Sequence, residues 1–169
     1  MTHIINPTIS TRQRNVITGT LLGGSSIVTP TKGRGSYLSM RNHDLNWLYF
    51  KARELTTLSS KSPVLIEKTN RWHSLCYPIF QKYKEMFYEN NKRCLTLKCL
   101  EEAKIADIAL AIWFGDCGKR LNGQVVLNTN MWGQKGTDVI VEYLHLISCP
   151  CESWKERESL RVRLTDEGT

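Results

Sequence analysis

The chain has 169 residues, 41% apolar and 23% charged, which suits one packed domain and is too short for two ordinary ones. Its formal charge of +7 points to a polyanionic partner. The longest apolar stretch, residues 105–114, contains Asp107 and falls well short of the ~20 residues of a membrane span, so no membrane is expected as a partner.

The N-terminal residues Met1 to Pro7 lack the basic-then-apolar order of a secretory signal. The expected location is therefore intracellular, in an organelle (mitochondrion or chloroplast) or in bacterial or phage cytoplasm. In a reducing compartment the six cysteines read as free thiols. Their spacing, with four residues between Cys94 and Cys99 and one between Cys149 and Cys151, does not give the paired clusters of a structural zinc site.

In chain order, Ser10 with Gln13 forms a capping box that opens a helix through the apolar run 16–23, and Gly24-Ser25-Ser26 can end it. Gly19 and Gly23 lie four apart on one helix face, which suggests close approach of another backbone; the plainer reading is a loop with incidental glycines. Residues 29–35 read as a flexible basic turn and 36–41 as a strand. Residues 44–58 read as a helix burying Leu45, Leu48, Tyr49, Ala52 and Leu55. A strand pair follows at 64–67 and 69–74, then an amphipathic helix over 78–88 and a polar break at 89–93.

A second half begins at about residue 94 with a short helix over 97–103. The apolar helix at 107–115 has Ala111 and Gly115 four apart, followed by a turn at 116–120. A strand is expected at 124–130, a helix from 136 or 137 to 146 and a last strand at 156–164. On that strand Arg157, Arg161 and Arg163 share one parity and so one face. The halves share an order, which predicts a single domain over 1–169 built of two pseudo-repeats, about 10–93 and 94–169. Gly19, Gly23, Ala111 and Gly115 would then pack two helices into a central seam.

The segment Leu110-Ala111-Ile112-Trp113-Phe114-Gly115-Asp116-Cys117-Gly118-Lys119 resembles the second signature of single-chain LAGLIDADG homing endonucleases, and residues 19–27 resemble the first. Phe87-Tyr88 with its basic turn, residues 126–129 and residues 161–164 fit the same family, so the resemblance runs from about Thr11 to Leu164. It implies an α+β LAGLIDADG homing-endonuclease fold: pseudo-twofold duplicated α-β-β-α units whose antiparallel sheets form a saddle over duplex DNA. Strand faces would then read the major groove while phosphate contacts supply affinity. The implied nucleic-acid-binding residues are Arg34, Tyr37, Ser39, Arg41, Lys68, Asn70 and Trp72 in the first half. In the second half they are Lys119, Arg120, Gln124, Asn128, Asn130, Arg157, Arg161 and Arg163. The plain alternative is solvated strand faces.

In this family each signature turn presents an acid that holds Mg²⁺ or Mn²⁺ for cleavage. Laid on that pattern, the two positions fall at Gly24 and Cys117, and the nearby acid, Asp116, is one residue early. Glycine offers no ligand and a thiolate suits Mg²⁺ poorly. The resemblance therefore implies a nuclease-derived DNA-binding protein with lost or impaired cleavage. It would need no cofactor to bind, and Mg²⁺ or Mn²⁺ only if it cuts. Two alternatives stand beside it: a binder of structured RNA, as an intron maturase or ribonucleoprotein subunit, and an active nuclease with an unusual site, in which Asp116 is recruited or Cys117 takes a softer metal such as Mn²⁺ or Zn²⁺. His73 with Cys76 reads as packing rather than catalysis, His43 as surface and His145 as core. The resemblance implies a helix after the last strand, whereas the sequence runs only to Thr165-Asp166-Glu167-Gly168-Thr169; natural truncation and a protein partner covering that face are both open readings.

Overall fold

The computed structural model describes residues 7–31, 35–66 and 68–165. Helix α1 spans Thr11–Leu22. The Ser10 hydroxyl accepts from Gln13 N–H at 3.1 Å, and the Gln13 side chain accepts from Ser10 N–H at 3.1 Å, completing the expected capping box. From Asn15 onward every residue of α1 is buried, as befits a helix covered on all sides.

Strands β1 (Ser26–Val28), β2 (Tyr37–Asn42), β3 (Val64–Ile66) and β4 (Thr69–His73) form an antiparallel sheet in the order β1-β2-β4-β3. Helix α2 (Leu45–Glu54) lies between β2 and β3, capped by the Asp44 carboxylate accepting from Trp47 N–H at 3.1 Å. Its inward face is Leu48, Lys51 and Ala52, continued by Leu55; Leu45 and Tyr49, expected inside, are 40% and 43% exposed. Helix α3 (Ile79–Phe87) runs straight into a short hairpin, β5 (Tyr88–Glu89) and β6 (Lys92–Arg93). That hairpin replaces the expected polar break; Asn90 and Asn91 take positive φ at its tip, which asparagine tolerates.

The second half has α4 (Leu97–Ala103), α5 (Asp107–Cys117), β7 (Gly118–Leu121), β8 (Gln124–Asn128), α6 (Gly133–Leu146), β9 (Cys151–Glu156) and β10 (Ser159–Leu164). Its sheet runs β7-β8-β10-β9, the same first-second-fourth-third order as the first sheet. The expected turn at 116–120 is absent: α5 continues to Cys117 and β7 starts at the next residue. Residues 156–164 are not one strand. Arg157, at φ +56, lies in the turn joining β9 to β10, so it does not share a strand face with Arg161 and Arg163.

Helices α1 and α5 pack directly on each other. A Cβ at Gly19 would collide with the Ala109 carbonyl and stand 2.8 Å from Ile112 Cβ; one at Gly23 would collide with Asp116. The seam of α5 is thus Ala109, Ile112 and Asp116. Ala111 is exposed and does not join it, and Gly115 instead makes room for the Trp47 ring of α2. One continuous core carries Ile17, Leu21, Leu38, Met40, Trp72, Phe80 and Phe87 of the first half together with Ile112, Trp113, Leu127, Ile140 and Val162 of the second.

Candidate nucleic-acid interface

Residues opposite one another in an antiparallel ladder share a face, and successive residues alternate. In the first sheet Leu38, Met40 and Trp72 point into the core. The register Ser26↔Ser39↔His73 and Arg41↔Arg71↔Val64 therefore defines the outer face. Tyr37, Ser39 and Arg41 of β2 have that parity, with the Tyr37 and His73 rings edge to face at 5.4 Å, but Ser39, expected to be open to a ligand, is buried at 7% exposure. On β4 the expectation was off by one residue. Trp72 is 1% exposed and donates its indole N–H to Lys61 O at 2.8 Å; Asn70 is 8% exposed and donates to His43 O at 3.0 Å. Thr69, Arg71 and His73 hold the outer positions, and Lys68 is exposed in the preceding turn at φ +67. Arg34 lies outside the described residues. Burial, followed by the charges of Arg71 and Arg41, lowers the His73 pKa, so its ring is neutral at physiological pH.

In the second sheet Leu127, Val162 and Cys151 face the core. The register Lys119↔Val126↔Arg163↔Glu152 and Asn128↔Arg161↔Trp154 sets the outer face. Lys119, Gln124, Asn128, Arg161 and Arg163 share it, joined by Glu152, Trp154 and Glu156 of the unanticipated strand β9. Arg120, paired with Val125, has the opposite parity. Asn130 is exposed just past β8, where its N–H donates to the Asn128 side chain at 3.0 Å. His145 is exposed rather than core; its Nε2 lies 2.8 Å from Cys151 O.

Beneath the sheets, the C-terminal ends of α1 and α5 bring the two signature positions, Gly24 and Cys117, to the seam. Gly24 has φ +120, a conformation open to glycine, and a Cβ there would stand 3.3 Å from the Met131 methyl. The Arg93 guanidinium grips the same turn, donating to Leu21 O (3.2 Å), Gly24 O (3.1 Å), Ser25 O (2.6 Å) and Ser26 Oγ (3.2 Å). A cation at a helix C-terminus complements the exposed carbonyls and the dipole. Cys117 donates its thiol to Asn128 O at 3.5 Å, and burial pushes its pKa up to about 11, so it is a neutral thiol at pH 7.

Asp116 turns inward. It is ion-paired with Lys51 of α2, accepts from Thr20 Oγ1 at 2.8 Å and from Trp47 Nε1 at 2.7 Å, and the Lys51 ammonium also donates to Thr20 Oγ1 at 2.9 Å. These partners escaped the sequence reading, although a lysine between Leu48 and Leu55 in the apolar stripe of α2 signals a buried charge. No cluster of three or more histidine, cysteine or acidic residues fit to hold a metal occurs among the described residues.

Two halves of identical strand order, joined through paired helices with small residues at their contact, define a duplicated α+β fold. The chain belongs to the LAGLIDADG DNA endonuclease family, whose pattern it matches over residues 14–168. Among solved structures it is similar to the homing endonuclease I-WcaI bound to its DNA recognition sequence, with TM-score 0.84 and 19% identity over 93% of this chain and 76% of that one. It is also similar to I-DmoI in complex with DNA and Mn, with TM-score 0.59 and 10% identity over 92% and 90% of the chains. The complex of I-DmoI with DNA and Ca gives TM-score 0.60 and 10% identity over 92% and 84%. At these identities the likeness establishes the fold. Comparison with curated proteins gave no match.

Proposed function

We propose that the chain binds double-stranded DNA through the outer faces of its two sheets and lacks the efficient metal-dependent cleavage for which its family is named. The DNA-bound relatives I-WcaI and I-DmoI support the ligand class. The positive charge and the outer residues Arg41, Arg71, Lys119, Arg161 and Arg163 support it independently, since arginine and lysine suit both phosphate and guanine edges.

The observation that carries the loss of cleavage is the state of the residues at the two helix ends of the seam. Mg²⁺ and Mn²⁺ take oxygen ligands. Gly24 supplies no side chain, Cys117 supplies a neutral thiol engaged with a carbonyl, and the Asp116 carboxylate is taken up by Lys51, Thr20, Trp47 and Asn42. These residues do not fit a hard divalent ion between two scissile phosphates.

The test is a competition between a duplex DNA library and structured RNA for the purified protein, across a salt series with Mg²⁺ and then Mn²⁺, with the nucleic acids recovered and sized. Preferred, intact duplex is the expected result. Cut duplex would overturn the reading of Gly24 and Cys117, and RNA preference would move the protein to a splicing or ribonucleoprotein role.

A further inference from the structure

The outer faces of the two sheets are built differently. In the second, β9 presents Glu152, Trp154 and Glu156 beside Arg163, Arg161 and Ser159 of β10. Arg163 is ion-paired with Glu152, its partner across the ladder, and its guanidinium lies 5.6 Å from the Trp154 ring centroid. The Arg161 Nε stands 2.6 Å from Glu156, one step along the same strand face. In the first sheet the corresponding edge strand, β3, offers Val64 and Ile66 on that face.

Two carboxylates on a surface that meets a polyanion repel it, so their presence weakens binding unless they serve another purpose. The arginines supply one. A free arginine carries large rotamer entropy, and a guanidinium already fixed in one orientation loses less of it on binding and accepts fewer alternative partners. Bidentate recognition of a guanine edge depends on that orientation, whereas a phosphate contact tolerates many.

We infer that Glu152 and Glu156 are positioning residues for specificity: they hold Arg163 and Arg161 as preset forks toward base edges, at some loss of total affinity. This rests on the duplex-DNA reading above.

The experiment selects preferred sequences from a randomised duplex library with the wild type, then measures affinity and base preference for Glu152→Ala and Glu156→Ala. Glu158→Ala is the control. Glu158 lies in the β9–β10 turn, 3.3 Å from Lys155, and its loss removes the same charge without touching either arginine. The expected result is equal or tighter binding of unrelated duplex by the two test variants, with preference falling about five- to tenfold at base pairs under the second sheet. Preference under the first sheet should hold, the melting temperature should not move, and the control should keep full preference. Unchanged preference in both test variants, or an equal loss in Glu158→Ala, would overturn the inference. A wild type that selects no duplex sequence would instead overturn the DNA reading on which it rests.

Discussion

Asp116 of α5 and Lys51 of α2 form an ion pair with side chains only 5% and 0% exposed, tying the second signature helix to the first half of the molecule. Burial lowers the Lys51 pKa, and the Asp116 charge and hydrogen bond oppose that shift. Removing one partner of such a pair strands the other. Asp116→Leu or Lys51→Met should each destabilise the fold by about 3–5 kcal/mol, while the double variant should recover much of the loss. Chemical denaturation of the three variants checks this. Single variants of near-wild-type stability would show that Asp116 is free for other work.

The close helix seam gives a second prediction. A methyl group at Gly19 meets the Ala109 carbonyl, which is backbone and cannot swing aside. Gly19→Ala should therefore cost about 1–3 kcal/mol, despite the helix propensity alanine adds. Ala111→Gly, on the exposed side of α5, should cost only about 1 kcal/mol, the ordinary helix penalty. Thermal melts of the pair separate seam packing from propensity.

Much of this architecture was legible because local signals agreed with the tertiary result. The capping box at Ser10, the glycine spacing of α1 and the alternation in β2 all marked real elements. The failures also have local causes. Strand β9 was hidden because the β9–β10 turn places Arg157 in a left-handed conformation without the usual glycine or asparagine. Strand β7 was missed although Asn122-Gly123, with both residues at positive φ, is a strong hairpin signal. On β4 the polarity of Asn70 points outward in the sequence, against its buried place in the sheet. Its amide instead satisfies a backbone carbonyl, and the large Trp72 was the better guide to the core. The Lys51–Asp116 pair joins residues 65 positions apart, beyond any local pattern.

Cys117 should behave as a buried neutral thiol. Its folded pKa, about 11, lies above the ordinary thiol value near 8.5, so the native state holds the proton more tightly than the unfolded chain. The stability this contributes is fully present below about pH 8.5 and is lost as pH rises through about 11. Iodoacetamide at pH 8 should leave Cys117 unmodified in the native protein and label it on unfolding, as read by peptide mass spectrometry. Rapid native labelling would mean the thiol is open to solvent, and then to a soft metal.

The corrected register of β4 yields the sharpest test of the interface. Arg71 lies on the outer face beside Arg41, while Asn70 is turned inward with its amide on His43 O. If the outer face meets DNA, Arg71→Ala and Arg41→Ala should each weaken duplex binding. For a phosphate contact, the slope of log affinity against log salt should become shallower by about 0.9. For a base contact the slope should hold and one base pair should lose its preference. Asn70→Ala should do neither; losing a buried hydrogen bond, it should lower stability by about 1–3 kcal/mol and leave the salt slope alone. Affinity measured at several salt concentrations, with a melt of each variant, distinguishes these outcomes. A salt-slope change in Asn70→Ala with no change in either arginine variant would mean the opposite face of the sheet carries the nucleic acid.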